Sequence, residues 1–596
     1  MCGIFGIITR EQRTLGPTLI EAGKMLSYRG YDSVGCATIN QAGKIDLRKD
    51  VGKVDAVAEK YQFAEMEGNR GILQLRWATF GAPSQANSQP HLDSDGDLVG
   101  AHNGNVVNNI ELRQQFIAEG MTVRSTNDGE SCVHAVERYV DQGYEMVEAI
   151  RKAYQDLQGD YAFVIGKVDE DTLYAIKKGS GLVAGITEDA AVISSDLPSL
   201  LPLTRKIMRI EDGEIAILKH NSIELRSVAD GSVIERHYEE VIESMDAARK
   251  GSFPHFMLKE IHEQPTVAGE LLNLLDNSAE VAQIVKRMQE AGTVYLVGCG
   301  TSYHACMLGS VYFSRLAGKP TIPVLAPQFI AQYGNALGPH DVGLFVSQSG
   351  ETKDVLNAIE VAKQRGMGVL GLVNVIGSTL MRVSEHHIPL GCGYEISVPA
   401  TKTFTNQVIA FLYLAMRMGS HDTNSLHLLP ELMVQTIQQS ASQIEALDKK
   451  LTGINDLYCL GYGLTYPIAL EGALKLKEIT YLHCEGMLST EFKHGPLSAV
   501  EEGYPVLFVA GQEDTDLIIS GINETTVRGG MAVVFGAENP RLEANGDVLI
   551  TFPKTDPNIE ALLSVIPLQL LSYHMSLRLG YDPDFPRNLS KTLTVD

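Results

Sequence analysis

Apolar positions follow two rhythms along this chain, and the change between them divides it. From residue 2 to about 240 the apolar runs are short and strand-like, as at Ile4–Ile7, Gly71–Leu75, Tyr161–Ile165 and Glu214–Leu218. Apolar residues recur at three and four over Pro17–Leu26 and Asp128–Asp141, the spacing of a helix with one buried face. Many short strands with two or three helices predict packed sheets covered by helices. Near Tyr238–Gly251 the pattern gives way to charge, with Glu239, Glu240, Glu243, Asp246, Arg249 and Lys250, so residues 241–251 read as a linker. Afterwards strand, glycine-rich turn and helix alternate, the rhythm of a parallel α/β sheet.

That second part repeats itself. Val297-Gly298-Cys299-Gly300-Thr301-Ser302-Tyr303 returns as Leu460-Gly461-Tyr462-Gly463-Leu464-Thr465-Tyr466, and Leu344-Phe345-Val346 returns as Leu507-Phe508-Val509. Both pairs are 163 residues apart. One spacing for two elements predicts two copies of one α/β domain, at 252–430 and 440–586, followed by a tail, 587–596. The fold class is therefore multi-domain α/β.

A chain of 596 residues is too long for one core, as this division requires. Charge narrows the partners. With 49 Lys plus Arg against 73 Asp plus Glu, a net −24 repels phosphate backbones and anionic membranes, which speaks against a nucleic-acid binder. A small anionic substrate needs only a local pocket and stays open. The eight cysteines form no CxxC pair, so neither a zinc site nor a disulfide framework is expected, and reduced thiols point to the cytoplasm. The apolar run after Cys2 is too short for a signal peptide. The longest uncharged span, Ala291–Ser314, is too rich in Gly, Ser, Thr and His for a bilayer.

Candidate chemistry begins at the first residues. If Met1 is removed, the Cys2 thiol sits beside a free α-amine of pKa roughly 8, a nucleophile and its base in one residue. Gly3 leaves room for a substrate. Thiolate attack on an amide needs donors for the developing oxyanion, which the Asn103 side chain and the Gly104 N–H can supply. An α-amino-acid substrate also needs a cation and an anion, roles that suit Arg76 and Asp128. Thr79 and Trp77, the single tryptophan, lie in the same polar turn as Arg76.

In the first α/β copy, Ser347-Gln348-Ser349-Gly350-Glu351-Thr352 follows a clean apolar strand. Hydroxyls and N–H groups at a strand-to-helix turn suit an anion, and Thr301 and Ser302 would add donors from the neighbouring turn. The same residues could serve only as a helix cap, Ser349 or Thr352 being the N-cap. In the second copy the matching turn, Ala510-Gly511-Gln512-Glu513-Asp514, loses hydroxyls and gains acids, so one sugar-phosphate site per chain is expected. Pro467 opens a helix on which Glu471, Lys475 and Glu478 share a face, where an acid beside a lysine could move a proton between adjacent carbons. His494 lies in a turn, and Lys591 in the tail could form a Schiff base with a carbonyl sugar.

These motifs, with Cys2-Gly3-Ile4, Tyr28-Arg29-Gly30-Tyr31-Asp32-Ser33, Arg76-Trp77-Ala78-Thr79, His102-Asn103-Gly104 and Leu470–Glu478, occur in one order across essentially the whole chain. The chain resembles the glucosamine-6-phosphate synthase family of glutamine-dependent sugar-phosphate aminotransferases. The resemblance implies an N-terminal-nucleophile glutaminase of layered sheets and helices over 2–240, then two sugar-isomerase (SIS) domains with parallel sheets. It implies glutamine hydrolysis at Cys2, with Arg76, Trp77, Thr79 and Asp128 around the glutamine and Trp77 gating an internal ammonia channel. Fructose 6-phosphate would meet Thr301, Ser302, Ser347, Gln348, Ser349, Thr352, Val398 and Ala400. His494 would open the ring, Lys591 form the imine, and Glu478, supported by Lys475, move the proton. No metal or cofactor is implied, and the sugar site would lie at a homodimer interface. Phe80 and Gln89 stand where the family usually has histidines in the glutamine loop and its surroundings, and Ala400 where its sugar pocket usually has serine. A sugar half running on free ammonia and a non-enzymatic sugar-phosphate sensor are competing readings.

Overall fold

A computed structural model describes residues 2–241 and 250–591, so the linker falls mostly outside the described residues. These fall into two compact units, one of residues 2–241 with 590 and 591, the other of residues 250–589.

The first unit is built on two antiparallel sheets, of eight and seven strands. Strand Gly3–Thr14 runs inside the larger sheet between Ala190–Ser194 and Glu67–Arg76. Its alternation decides its two faces. Ile4 and Ile8 enter the core between the sheets, with Ala101, Ala162 and Val164 of the other sheet. Phe5 and Ile7 face the outer layer, where they pack with Leu19 and Leu26 of helix Gly16–Leu26. On the far side Val133, Val136 and Ile150, from helices Asp128–Val140 and Met146–Asp156, cover Phe163 and Ile165. The result is helix, sheet, sheet, helix, with Cys2 held at the end of a strand buried on both faces. Beyond the two helices expected at Pro17–Leu26 and Asp128–Asp141, the unit holds Met146–Asp156, Val54–Lys60 and Asn109–Ala118. Neither of the last two announces itself, since Val54–Lys60 is two turns long and Asn109–Ala118 exposes Ile110 and Ile117.

The second unit holds two five-stranded sheets, parallel in every pairing and identical in strand order. Val294–Gly298 lies between Ile322–Leu325 and Val342–Ser347 in the first, and Asp456–Gly461 between His483–Leu488 and Pro505–Val509 in the second. Strand order reverses direction at these central strands, and in open parallel sheets ligands bind in the crevice beyond such a point. One continuous apolar cluster joins the copies. It includes Phe404 and Phe411 of helix Lys402–Met418, Ile468 and Leu476 of helix Tyr466–Thr480, and Leu568 and Leu571 of helix Val565–Arg578.

Candidate active site

In the first unit the strand ends bring the proposed glutaminase residues together. Cys2 is buried, its thiol donating to the Trp77 carbonyl at 3.5 Å and accepting the Trp77 N–H at 3.3 Å. Burial pushes this thiol above its ordinary pKa, opposed by the Trp77 N–H and the Arg76 guanidinium. Arg76 is buried too. One of its terminal nitrogens is held by the Phe80 and Gly81 carbonyls, the latter at 2.6 Å, while Nη1 has no partner. A buried guanidinium with one unsatisfied N–H edge is suited to a carboxylate. Asp128 opens its helix and accepts the Val106 N–H at 3.0 Å and the Asn127 amide at 3.1 Å, with His102 Nε2 at 3.6 Å.

Asn103 carries the most direct sign of a vacant role. Both polar atoms of its side-chain amide are buried without a partner, an arrangement that native proteins avoid unless a ligand or reacting group completes it. Beside it Gly104 has φ +112°, and a Cβ there would lie 2.1 Å from the Asp160 carbonyl. Only glycine fits. Thr79 is exposed in the turn after Arg76, and Trp77 meets the Tyr31 ring edge-on at 5.8 Å.

In the second unit the serine-rich turn closes on itself through hydroxyls. Ser347 Oγ shares a hydrogen bond with Thr352 Oγ1 at 2.9 Å and accepts the Gly350 N–H, and Ser349 Oγ accepts the Glu351 N–H. Thr352 is the N-cap of helix Lys353–Gln364 by position, yet its side chain makes no cap bond. Glu351 turns away, accepting the Thr379 N–H at 2.7 Å and its hydroxyl at 2.9 Å, which leaves the turn open. The matching carboxylate of the second copy points the other way. Asp514, 163 residues after Glu351, folds back onto its own turn, accepting the Gly511 N–H at 2.6 Å and the Thr465 hydroxyl at 3.4 Å.

The two copies meet at Thr301. Its hydroxyl donates to Glu471 Oε1 at 3.0 Å and accepts from Lys475 Nζ at 3.2 Å. Lys475 also pairs with Glu471 at 3.3 Å and Glu478 at 2.5 Å, and His304 Nδ1 reaches Glu471 at 2.8 Å. Burial alone would lower the Lys475 pKa, but the carboxylates of Glu471 and Glu478 outweigh it and push it up to about 12. Ser302 accepts from the Gln407 amide at 3.0 Å. Gln348 is half-buried in the serine-rich turn. Val398 and Ala400 lie on a loop pinned by buried Glu395, which accepts the Thr401 and Thr403 N–H groups at 2.9 and 3.1 Å. His494 is exposed at the end of a 3₁₀ turn, Ser489–His494, and makes no hydrogen bond or ion pair with this cluster. Lys591 falls with the first unit.

His304, Gln407 and Asp32, which accepts the Ala78 N–H at 2.8 Å, were not singled out by sequence reasoning. His304 had a signal, one helical turn after Thr301. Gln407 lies in a helix buried all round, where periodicity says nothing about which polar residue faces a ligand.

Residues 75–202 match the glutamine amidotransferase domain model, and residues 287–417 and 450–579 each match the SIS domain model. The solved C-terminal domain of glucosamine-fructose-6-phosphate aminotransferase from Francisella tularensis is 30% identical, with a TM-score of 0.53, over 57% of this chain and 100% of that one. The class is thus an amidotransferase joined to a tandem pair of SIS domains. Over the full length of both chains, the glutamine–fructose-6-phosphate aminotransferases (isomerizing) of Methanothermobacter thermautotrophicus and Thermococcus kodakarensis are 38% and 37% identical. This chain belongs to the family of glutamine–fructose-6-phosphate aminotransferases (isomerizing). Among the described residues no helix is long and apolar enough to cross a membrane.

Proposed function

We propose that the chain converts fructose 6-phosphate and glutamine to glucosamine 6-phosphate and glutamate, as a cytoplasmic homodimer. With Met1 removed, the Cys2 amine takes the thiol proton, and the thiolate attacks the glutamine side-chain amide. Asn103 and the Gly104 N–H stabilise the tetrahedral oxyanion. Nη1 of Arg76 holds the α-carboxylate and Asp128 the α-ammonium, with Trp77 and Thr79 closing over them. Ammonia leaves, and water hydrolyses the thioester to glutamate.

The phosphate of the sugar rests on the open turn of Ser347, Gln348, Ser349 and Thr352, with Thr301, Ser302, Val398 and Ala400 around the sugar. His494 of a second copy opens the ring, and Lys591 forms an imine at C2 that ammonia displaces. Glu478 then carries the proton from C1 to C2, and Lys475 holds that carboxylate in place. The domain bounds proposed are 2–240, 252–430 and 440–586, with 241–251 as linker and 587–596 as the tail carrying the lysine. The observation that carries the reading is the Thr301 hydroxyl, which ties a strand-to-helix turn of one copy to the acid and lysine of the other. A sugar sensor has no use for that junction. The test supplies glutamine or ammonium separately and assays glucosamine 6-phosphate. Glutamine-dependent product that Cys2→Ala abolishes, with ammonium-dependent product retained, is expected. Equal activity of Cys2→Ala on both nitrogen sources refutes it.

A further inference from the structure

Strand His91–Leu92 pairs with Val99 and Gly100 of the strand that carries Asn103, with His91 opposite Gly100. Continued by two residues, that antiparallel register sets Gln89 opposite His102. The backbone ladder stops short of this pair, because the backbone of Gln89 is turned aside, its carbonyl lying against Gly35. The side chain takes over. Gln89 Oε1 accepts the His102 N–H at 2.7 Å, and Gln89 Nε2 donates to the His102 carbonyl at 3.1 Å, so one amide reproduces the paired bonds of a strand residue.

The surroundings are fitted to this side chain. Gln89 is 1% exposed. Lys49 Nζ grips the carbonyls on either side of it, Ser88 at 2.6 Å and Pro90 at 2.9 Å. Gly129, next to Asp128, keeps the space open, since a Cβ there would sit 2.6 Å from Gln89 Oε1. The His102 carbonyl belongs to the peptide plane that ends at the Asn103 nitrogen, so what fixes that plane fixes where the Asn103 amide points.

We propose that Gln89 is a positioning residue of the glutaminase half, standing in for a missing strand so that Asn103 and Gly104 face the developing oxyanion. The inference rests on reading Asn103 as an oxyanion donor. It assigns Gln89 to the frame of the site and not to the loop that closes over glutamine. Its effect belongs in the transition state, because Arg76 and Asp128, which hold the amino acid, make their hydrogen bonds to Phe80, Gly81, Val106 and Asn127 and none to Gln89.

The test measures glutamine hydrolysis by the full chain for Gln89→Met, Gln89→Ala and Asn103→Ala, alongside alkylation of Cys2 by iodoacetamide. Alkylation is a displacement that develops no oxyanion and so reports thiol access and an intact site. Losing an oxyanion donor typically lowers kcat by roughly 10²–10³-fold, and Asn103→Ala is expected in that range. Gln89→Met should lower kcat by roughly tenfold or more with KM and the alkylation rate within about threefold of wild type. Gln89→Ala, which leaves room for water and guards against misfolding of the methionine variant, should show the same split. If Asn103→Ala leaves kcat unchanged, the oxyanion reading fails and this inference with it. If Asn103→Ala behaves as expected while both Gln89 variants keep wild-type kcat, the positioning role alone is refuted. A parallel fall in kcat and alkylation also refutes it, since it would make Gln89 no more than part of the fold.

Discussion

Asp514→Asn should stabilise the second unit at neutral pH and do progressively less as the solution is acidified. Burial pushes the Asp514 carboxyl from its ordinary 3.8 to about 7, against the Gly511 N–H, the Thr465 hydroxyl and its own backbone N–H. The sign follows from linkage. A carboxyl with a raised folded pKa binds its proton more tightly when folded, so its favourable contribution is complete below 3.8 and is lost as pH rises through 7. Each pKa unit is worth about 1.4 kcal/mol, so wild type carries a penalty of roughly 4 kcal/mol at pH 8 and roughly 2 kcal/mol at pH 5.5. Asparagine keeps an acceptor for the Gly511 N–H and never ionises. The advantage of Asp514→Asn should therefore shrink by about 2 kcal/mol between pH 8 and pH 5.5. Urea unfolding of the intact chain, followed by far-ultraviolet circular dichroism, reads this. Trp77 is the only tryptophan and lies in the first unit, so its fluorescence midpoint should be the same in both proteins and serves as an internal control. Stabilities that run parallel within about 0.5 kcal/mol over this pH range would refute the claim that the second copy's turn is strained by its own buried charge.

Other outcomes follow from the two sites. Because burial raises the Cys2 thiol, its alkylation by iodoacetamide should climb with pH beyond the range of a free cysteine, and a plateau near neutrality would contradict that environment. Lys475→Met removes the cation between two carboxylates. It should lower ammonium-dependent product formation by about 10²-fold or more and destabilise the second unit by about 3–5 kcal/mol, checked by turnover and thermal unfolding. Thr301→Val keeps the volume and loses the hydroxyl's bonds to charged Glu471 and Lys475, so thermal unfolding should show the second unit destabilised by roughly 1.5–3 kcal/mol.

Much of the architecture was legible because apolar pattern and repeat spacing report what each element buries. Ile4, Phe5, Ile7 and Ile8 form the nearly unbroken apolar run that a strand covered on both faces must show. The common offset of 163 residues foretold two sheets of one strand order. The loss of hydroxyls in the second turn was readable, but the direction of a carboxylate was not. Glu351 and Asp514 hold matching positions, and only tertiary structure decides that one caps Thr379 and the other fills its own turn. Gln89 shows the same limit. Its value depends on where a short strand's ladder stops and on a glycine forty residues away, neither of which local pattern encodes. The buried junction of Thr301, Glu471 and Lys475 was half visible, as a face of one helix. Its other half is a helix start 170 residues earlier, brought there by the packing of two copies.

The most direct test of the whole account follows one nitrogen atom. Glutamine labelled with ¹⁵N in its side-chain amide is given with fructose 6-phosphate and excess unlabelled ammonium, and the glucosamine 6-phosphate is analysed by mass spectrometry. Wild type should carry ¹⁵N in its product, and Cys2→Ala should make only unlabelled product. A wild-type product that carries no label would contradict the claim that nitrogen released at Cys2 is the nitrogen the sugar receives.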